Sequence, residues 1–237
     1  MTFAFFGLTL IFALLPVFLI LFFVYSKDRF EREPFGKVFQ VFFLSALFSF
    51  AVIPFERLAG SLLFMNYAAR SAMDFDFALN FWAVALVEEL YKWLILMILL
   101  WSSPCFRYRY DGIVYAVASS LGFAGCENVL YLLGWGHSIA LGRAVFSIPG
   151  HATYGVLMGF FFSRARQFKN RKLGMLSFAN MVLCVTSATL CHAVYDFLLS
   201  DSIQGGGLGL LFFLYVFVMD VIAWMLIYND FESDRSL

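Results

Sequence analysis

Charge is what this sequence has least of. Asp, Glu, Lys and Arg make up 14% of its 237 residues, against about 25% in an ordinary soluble domain. No polar stretch is long enough to build a water-soluble domain, and with 62% of residues hydrophobic a bilayer is the natural solvent. The 16 basic and 16 acidic residues cancel, so no global field attracts a polyanion and nucleic acid is not an expected partner. Cysteine is sparse as well. Cys105, Cys126, Cys184 and Cys191 form no C-x-x-C or zinc-finger spacing, and each sits in or beside an apolar run, where a free thiol packs as a small hydrophobe. The run from Phe3 to Tyr25 lacks a basic n-region and an A-x-A cleavage signal, so it is expected to persist as a transmembrane helix. Internal repeats are absent, and so is H-E-x-x-H.

What is present is apolar sequence in helix-length blocks. About 20 residues cross roughly 30 Å of hydrocarbon, which predicts spans near 3–25, 37–55, 78–101, 113–133, 139–162, 173–199 and 208–228. The expected fold is therefore an all-α polytopic bundle of about seven spans, forming one membrane-embedded domain over 1–237 with its motif-bearing core at 78–199. Pro149-Gly150 should kink the fifth span or start a new helix just before His151. Thirty-two phenylalanines suit lipid-facing and interfacial surfaces.

Basic residues set the orientation, because short cytoplasmic loops hold the excess of Lys and Arg. Lys27, Arg29, Arg32 and Lys37 fall in the first loop, Arg107 and Arg109 in the third, and Arg164, Arg166, Lys169, Arg171 and Lys172 in the fifth. Against these and Arg235 in the C-terminal tail stand only Arg57, Arg70 and Arg143 on the other side. The N-terminus is expected outside and the C-terminus in the cytoplasm of a cell-membrane protein.

The third span carries Glu88, Glu89 and Lys92 in V-E-E-L-Y-K-W. Three central charges cost roughly 9 kcal/mol, whereas twelve Leu, Ile, Val or Phe side chains return about 6 kcal/mol, so this helix needs polar partners. Lys92 lies four residues after Glu88 and three after Glu89, both spacings that make neighbours on a helix. An internal ion pair is the bland reading. Two glutamates pointing about 100° apart weaken it, since one can take the lysine while the other faces the bundle and handles protons. Further spans add Glu127 and Asn128, then His151, then His192 and Asp196 at i, i+4. At 1.5 Å per residue, Glu127, His192, His151 and Glu88 all fall about 9–18 Å from the outer ends of their spans, so four helices can deliver acids and imidazoles to one pocket. Hydrolysis, zinc binding through His151, His192 and a carboxylate, proton-coupled transport and ion conduction are the chemistries open to such a set.

The strings themselves resemble the PrsW-type intramembrane proteases, relatives of the CAAX-prenyl endopeptidase and bacteriocin-protection membrane proteins. Glu88-Glu89-x-x-Lys92 is similar to that family's E-E-x-x-K, Gly122 to Asn128 with Tyr131 to its G-F-A-x-x-E-N-x-x-Y, His151-Ala152 to its P-x-H-A, and His192-Ala193 to Asp196-Phe197 to its H-A-x-x-D-F. Asp111-Gly112 and Tyr115 resemble its D-G-x-x-Y. These elements occur in family order between residues 88 and 197. The resemblance implies a peptidase that cuts another membrane protein, such as an anti-sigma factor at the first step of regulated proteolysis. It implies Glu88, Glu89, Glu127, His151 and His192 as catalytic residues, with Glu88 or Glu89 as base on water. Asn128 or a histidine would donate to the oxyanion, and Lys92 and Asp196 would support. If zinc is held, His151, His192 and Glu127 are the expected ligands, although a metal-free glutamate mechanism is favoured over it. A proton-coupled transporter is the alternative function.

Overall fold

The computed structural model describes residues 3–28, 32–67, 70–200, 203, 209–232 and 236–237. Its elements are helices: α1 (Phe3–Ser26), α2 (Phe35–Phe48), α3 (Val52–Tyr67), α4 (Ala72–Ala78), α5 (Leu86–Leu100), α6 (Arg109–Trp135), α7 (Ala140–Gly142), α8 (Ile148–Asn170), α9 (Gly174–Leu199) and α10 (Gly209–Glu232). Short 3₁₀ or π segments join several of them, so the described residues form seven long helical runs in an all-α polytopic bundle. Six of these runs are long and apolar enough to cross a membrane. The seventh, α4 to α5 through a π segment at Leu79–Ala85, carries Glu88, Glu89 and Lys92 and does not meet that standard on composition.

Two boundaries differ from expectation. The second span does not stop near residue 55 but continues through a 3₁₀ turn at Ser49–Ala51 to Tyr67. Pro54 permits this because it stands in the first turn of α3, where a missing N–H costs no intrahelical bond. The fifth span begins at His137 and reaches Asn170. Pro149 sits in the first turn of α8, so a helix does start just before His151, preceded by a π segment at Arg143–Ser147.

Lipid-facing helices and a buried hub are distinguished by side-chain size. α1 and α10 expose Phe22, Leu19, Leu210 and Phe217, surface that lipid tails cover in a membrane. α6 is buried along most of its length and presents Ala116, Ala118, Ser119, Ser120, Gly122 and Ala124. Small residues let backbones approach closely. A Cβ on Gly155 would stand 2.9 Å from Val117 Cα, and one on Gly159 would stand 2.6 Å from Ile113 Cα, so the α6–α8 crossing exists only because these positions are glycine. Ser120 Oγ donates to the His151 carbonyl at 2.6 Å across the same antiparallel seam. Seams to α1 and α2 are closed by Asn128 Nδ2 donating to Ala13 O (3.0 Å), Tyr110 to Val24 O (3.0 Å) and Ser45 to Ser119 O (2.6 Å). All four cysteines are free, and Cys184 Sγ points at Met158 O.

The basic loops share one end of the bundle. Leu237 N donates to Arg107 O at 2.8 Å, Gln167 Nε2 to Ser236 O at 3.2 Å, and the Arg166 guanidinium to Trp101 O. From that end Glu127 is 18 residues along α6, His192 is 18 along α9 and His151 is 19 back along α8. At 1.5 Å each these are about 27–29 Å, so the three side chains reach one level in the half of the bundle remote from the basic loops.

Candidate active site

That level holds a continuous polar network. Lys92 Nζ, fully buried, lies 2.6 Å from Glu89 Oε1, 3.3 Å from Glu88 Oε2 and 3.2 Å from His151 Nδ1, with the Phe123 ring 4.6 Å away. His192 Nδ1 is 2.9 Å from Glu89 Oε1 and 3.9 Å from Glu88 Oε2, while its Nε2 is 3.2 Å from Asp196 Oδ2. His151 Nε2 donates to Glu127 Oε2 at 3.1 Å. Each imidazole therefore has a carboxylate on Nε2 that fixes its orientation. The helix spacing explains the rest: i+3 and i+4 bring Lys92 under both glutamates, and i+4 brings Asp196 under His192.

A cavity of about 1060 Å³ opens beside this network. Glu88, Glu127, His151, His192 and Asp196 line it, whereas Glu89 and Lys92 do not. The two glutamates are thus divided: Glu88 meets the cavity and Glu89 is locked between an ammonium and an imidazole. Asn128 stands apart from the other expected residues. Its amide nitrogen donates to Ala13 O and its Oδ1 accepts from Arg143 Nε at 2.7 Å, so the structure does not bring it to the reacting groups as an oxyanion donor.

Glu88, His151 and His192 offer three ligand atoms within 4.8 Å of one another, all buried. Glu127, the carboxylate expected from sequence to complete a metal set, is not in that group and sits instead on His151 Nε2. Two imidazoles and a carboxylate are a common catalytic zinc donor set. Charge agrees with that fit. Five carboxylates (Glu88, Glu56 hydrogen-bonded to it, Glu89, Glu127 and Asp196) face two permanent cations (Lys92 and Arg143), and the excess negative charge suits a divalent metal or protons.

Three participants were missed in the sequence. Arg143, a residue expected on the outer side, occupies the π segment before α8. Its Nη2 is 3.3 Å from Glu127 Oε2 and its guanidinium lies 4.0 Å over the Tyr131 ring. An arginine inside the predicted span 139–162 was the available signal. Glu56, on the part of the second helical run that was not expected, lines the cavity. Tyr154, three residues after His151, stacks on His192 at 4.8 Å.

Comparison with known proteins points in one direction. Residues 33–225 match the model of the family described as PrsW family intramembrane metalloprotease. Protease PrsW of Oceanobacillus iheyensis is 36% identical over 186 residues, covering 78% of this chain and 79% of that protein. Protease PrsW of Bacillus subtilis is 34% identical over 187 residues, with 78% and 79% covered. That of Clostridioides difficile is 32% identical over 191 residues, with 79% and 77% covered. No solved structure matches the chain.

Proposed function

Because the chain belongs to the PrsW family of intramembrane metalloproteases, we propose that the cluster of Glu88, His151 and His192 is the hydrolytic centre of a multi-pass peptidase that cuts other membrane proteins. One observation carries this reading: three helices place these side chains together on the wall of a cavity large enough for an extended peptide segment.

Glu88 takes the proton of the attacking water and returns it to the leaving nitrogen. It is the member of the glutamate pair that reaches the cavity. Lys92 and Glu89 form the fixed ion pair beneath it, and Glu127 and Asp196 hold the two imidazoles in register. Glu88, His151 and His192 are also the groups that would hold a divalent metal, in which case Glu88 serves as ligand and not as base. Such a metal, when bound, polarises the scissile carbonyl and lowers the pKa of water.

The substrate we propose is a single-span regulator cut on its extracytoplasmic side, an anti-sigma factor in a first-step cleavage being the family's example. Support comes from the depth of the site, remote from the basic loops that favour the cytoplasm, with the N-terminus outside and the C-terminus inside a cell membrane. The test is cleavage of candidate single-span proteins in proteoliposomes by wild type and Glu88→Gln, each with and without a chelator. Wild type is expected to cut and Glu88→Gln to be inactive. Chelator sensitivity assigns the metal to the trio, and insensitivity assigns a metal-free carboxylate mechanism. Equal cutting by both proteins removes Glu88 from the chemistry.

A further inference from the structure

Tyr154 is buried to 2% exposure on the wall of the cavity, and its ring packs with both imidazoles. It lies nearly parallel to the His192 ring at 4.8 Å and meets the His151 ring edge-on at 5.7 Å, the two imidazoles being 5.2 Å apart. Three rings thus close into a triangle beside Glu88. Yet the Tyr154 hydroxyl has no hydrogen-bond partner. Other tyrosines of the bundle behave differently. Tyr91, Tyr110 and Tyr215 each donate to a backbone carbonyl, and Tyr115 donates to the Glu33 carboxylate. On α8 itself the Thr153 hydroxyl is bonded to Asp220 and the Ser163 hydroxyl to Arg109 O. A buried donor left without a partner is costly, and such groups persist where they serve a reaction.

The hydroxyl packs close against Gly150. Gly150, one turn earlier on the same face of α8, would with a Cβ come within 3.1 Å of the Tyr154 oxygen. The donor is already fixed in place by the ring stack.

We propose that the Tyr154 hydroxyl donates to the oxyanion formed during peptide hydrolysis, making Tyr154 a catalytic residue. This rests on the peptidase reading above. Water oxygen adds to the carbonyl carbon, and the water proton passes to Glu88. The C=O π pair moves onto oxygen, whose charge is met by the Tyr154 O–H. On collapse that pair returns, the C–N bond breaks with its electrons going to nitrogen, and nitrogen takes the proton held by Glu88. A donor unpaired in the resting protein and paired in the transition state raises kcat without tightening substrate binding.

Tyr154→Phe isolates the hydroxyl, since it retains the ring and the stack. The full-length protein in proteoliposomes would be compared as wild type, Tyr154→Phe, Gly150→Ala and Glu88→Gln, measuring kcat, KM, thermal midpoint and bound metal. Tyr154→Phe is expected to lower kcat by about 100- to 1,000-fold, leaving KM, thermal midpoint and metal content at wild-type values. Gly150→Ala, which crowds the hydroxyl, should also lower kcat. Wild-type kcat in Tyr154→Phe overturns the inference while an inactive Glu88→Gln leaves the peptidase reading standing. A fall in kcat that tracks a fall in thermal midpoint or metal content overturns it too, by showing a structural role. Should Glu88→Gln cut like wild type, the peptidase assignment of the site fails and the inference fails with it.

Discussion

Replacing Lys92 with methionine tests the most buried part of the site. The ammonium is the single fixed cation within 3.3 Å of both Glu88 and Glu89, and all three side chains are almost completely shielded. Removing one partner from a buried ion pair costs about 3–5 kcal/mol, because the charge left behind is uncompensated. Protonation sets an independent ceiling. A carboxylate of ordinary pKa, about 4.3, can escape by taking up a proton at about 1.36 kcal/mol per pH unit, or roughly 3.7 kcal/mol at pH 7 and about 1 kcal/mol at pH 5. The two figures agree at neutral pH. In Lys92→Met the carboxyl is neutral when folded and ionised when unfolded, so stability is lost as pH rises above the unfolded value. Lys92→Met should therefore be about 3–4 kcal/mol less stable than wild type at pH 7 and about 1 kcal/mol less stable at pH 5, read from unfolding in detergent micelles at both pH values. Adding Glu89→Gln removes the stranded charge and should restore most of the loss. A deficit below about 1 kcal/mol at pH 7, a deficit that ignores pH, or a double variant no better than the single one would refute the ion-pair argument.

Glu89→Gln alone should reduce thermal stability more than turnover, whereas Glu88→Gln should abolish turnover and leave stability nearly intact; unfolding and cleavage measured on the same preparations separate the two roles. Gly155→Val forces α8 away from Val117, where even a Cβ would stand at 2.9 Å. It should cost about 1–3 kcal/mol by overpacking and lower activity, with calorimetry and cleavage rates as the checks. Glu33, in the loop before α2, is buried against Tyr115, and burial pushes its carboxyl above the ordinary range despite the Tyr115 hydrogen bond. A raised carboxyl pKa makes stability fall as pH rises from the unfolded value, near 4.5, through the folded one. Glu33→Gln should flatten that dependence in a thermal series between pH 4.5 and 8, and an unchanged slope would remove Glu33 from the account.

Much of this was legible because lipid leaves few choices. Apolar runs of helix length announce six spans, and Lys92 under Glu88 and Glu89 follows from helical spacing alone. The third span was legible for the opposite reason: its charges make it a poor lone helix, so partners had to exist, and His151 and His192 supply them. Less legible was the second run, where Glu56 and Arg57 read as loop residues although Pro54 is harmless in a first turn. Arg143 joins the site through the crossing of α6 and α8, and Tyr154 through α9, where it stacks on His192. That crossing depends on Gly155 and Gly159 meeting backbone on the other helix, a pairing of distant residues with no linear signature. Choosing Glu88 rather than Glu127 as the carboxylate grouped with both imidazoles within 4.8 Å likewise needed coordinates, because helical depth places the two acids at similar levels.

The charge inventory links stability to chemistry. Five carboxylates, Glu88 with Glu56 bonded to it, Glu89, Glu127 and Asp196, are held in one network with Lys92 and Arg143 as permanent cations. Uncompensated buried charge is expensive in a low-dielectric interior, so the excess negative charge must be met by a divalent metal or by protons. Metal binding and proton release are then one equilibrium. Loading a divalent metal into the stripped protein should expel protons into a weakly buffered solution, and affinity should rise with pH. Glu88→Gln removes one donor and one negative charge together, so it should weaken metal binding and reduce proton release in the same titration. A metal bound with no proton release would place it outside this network.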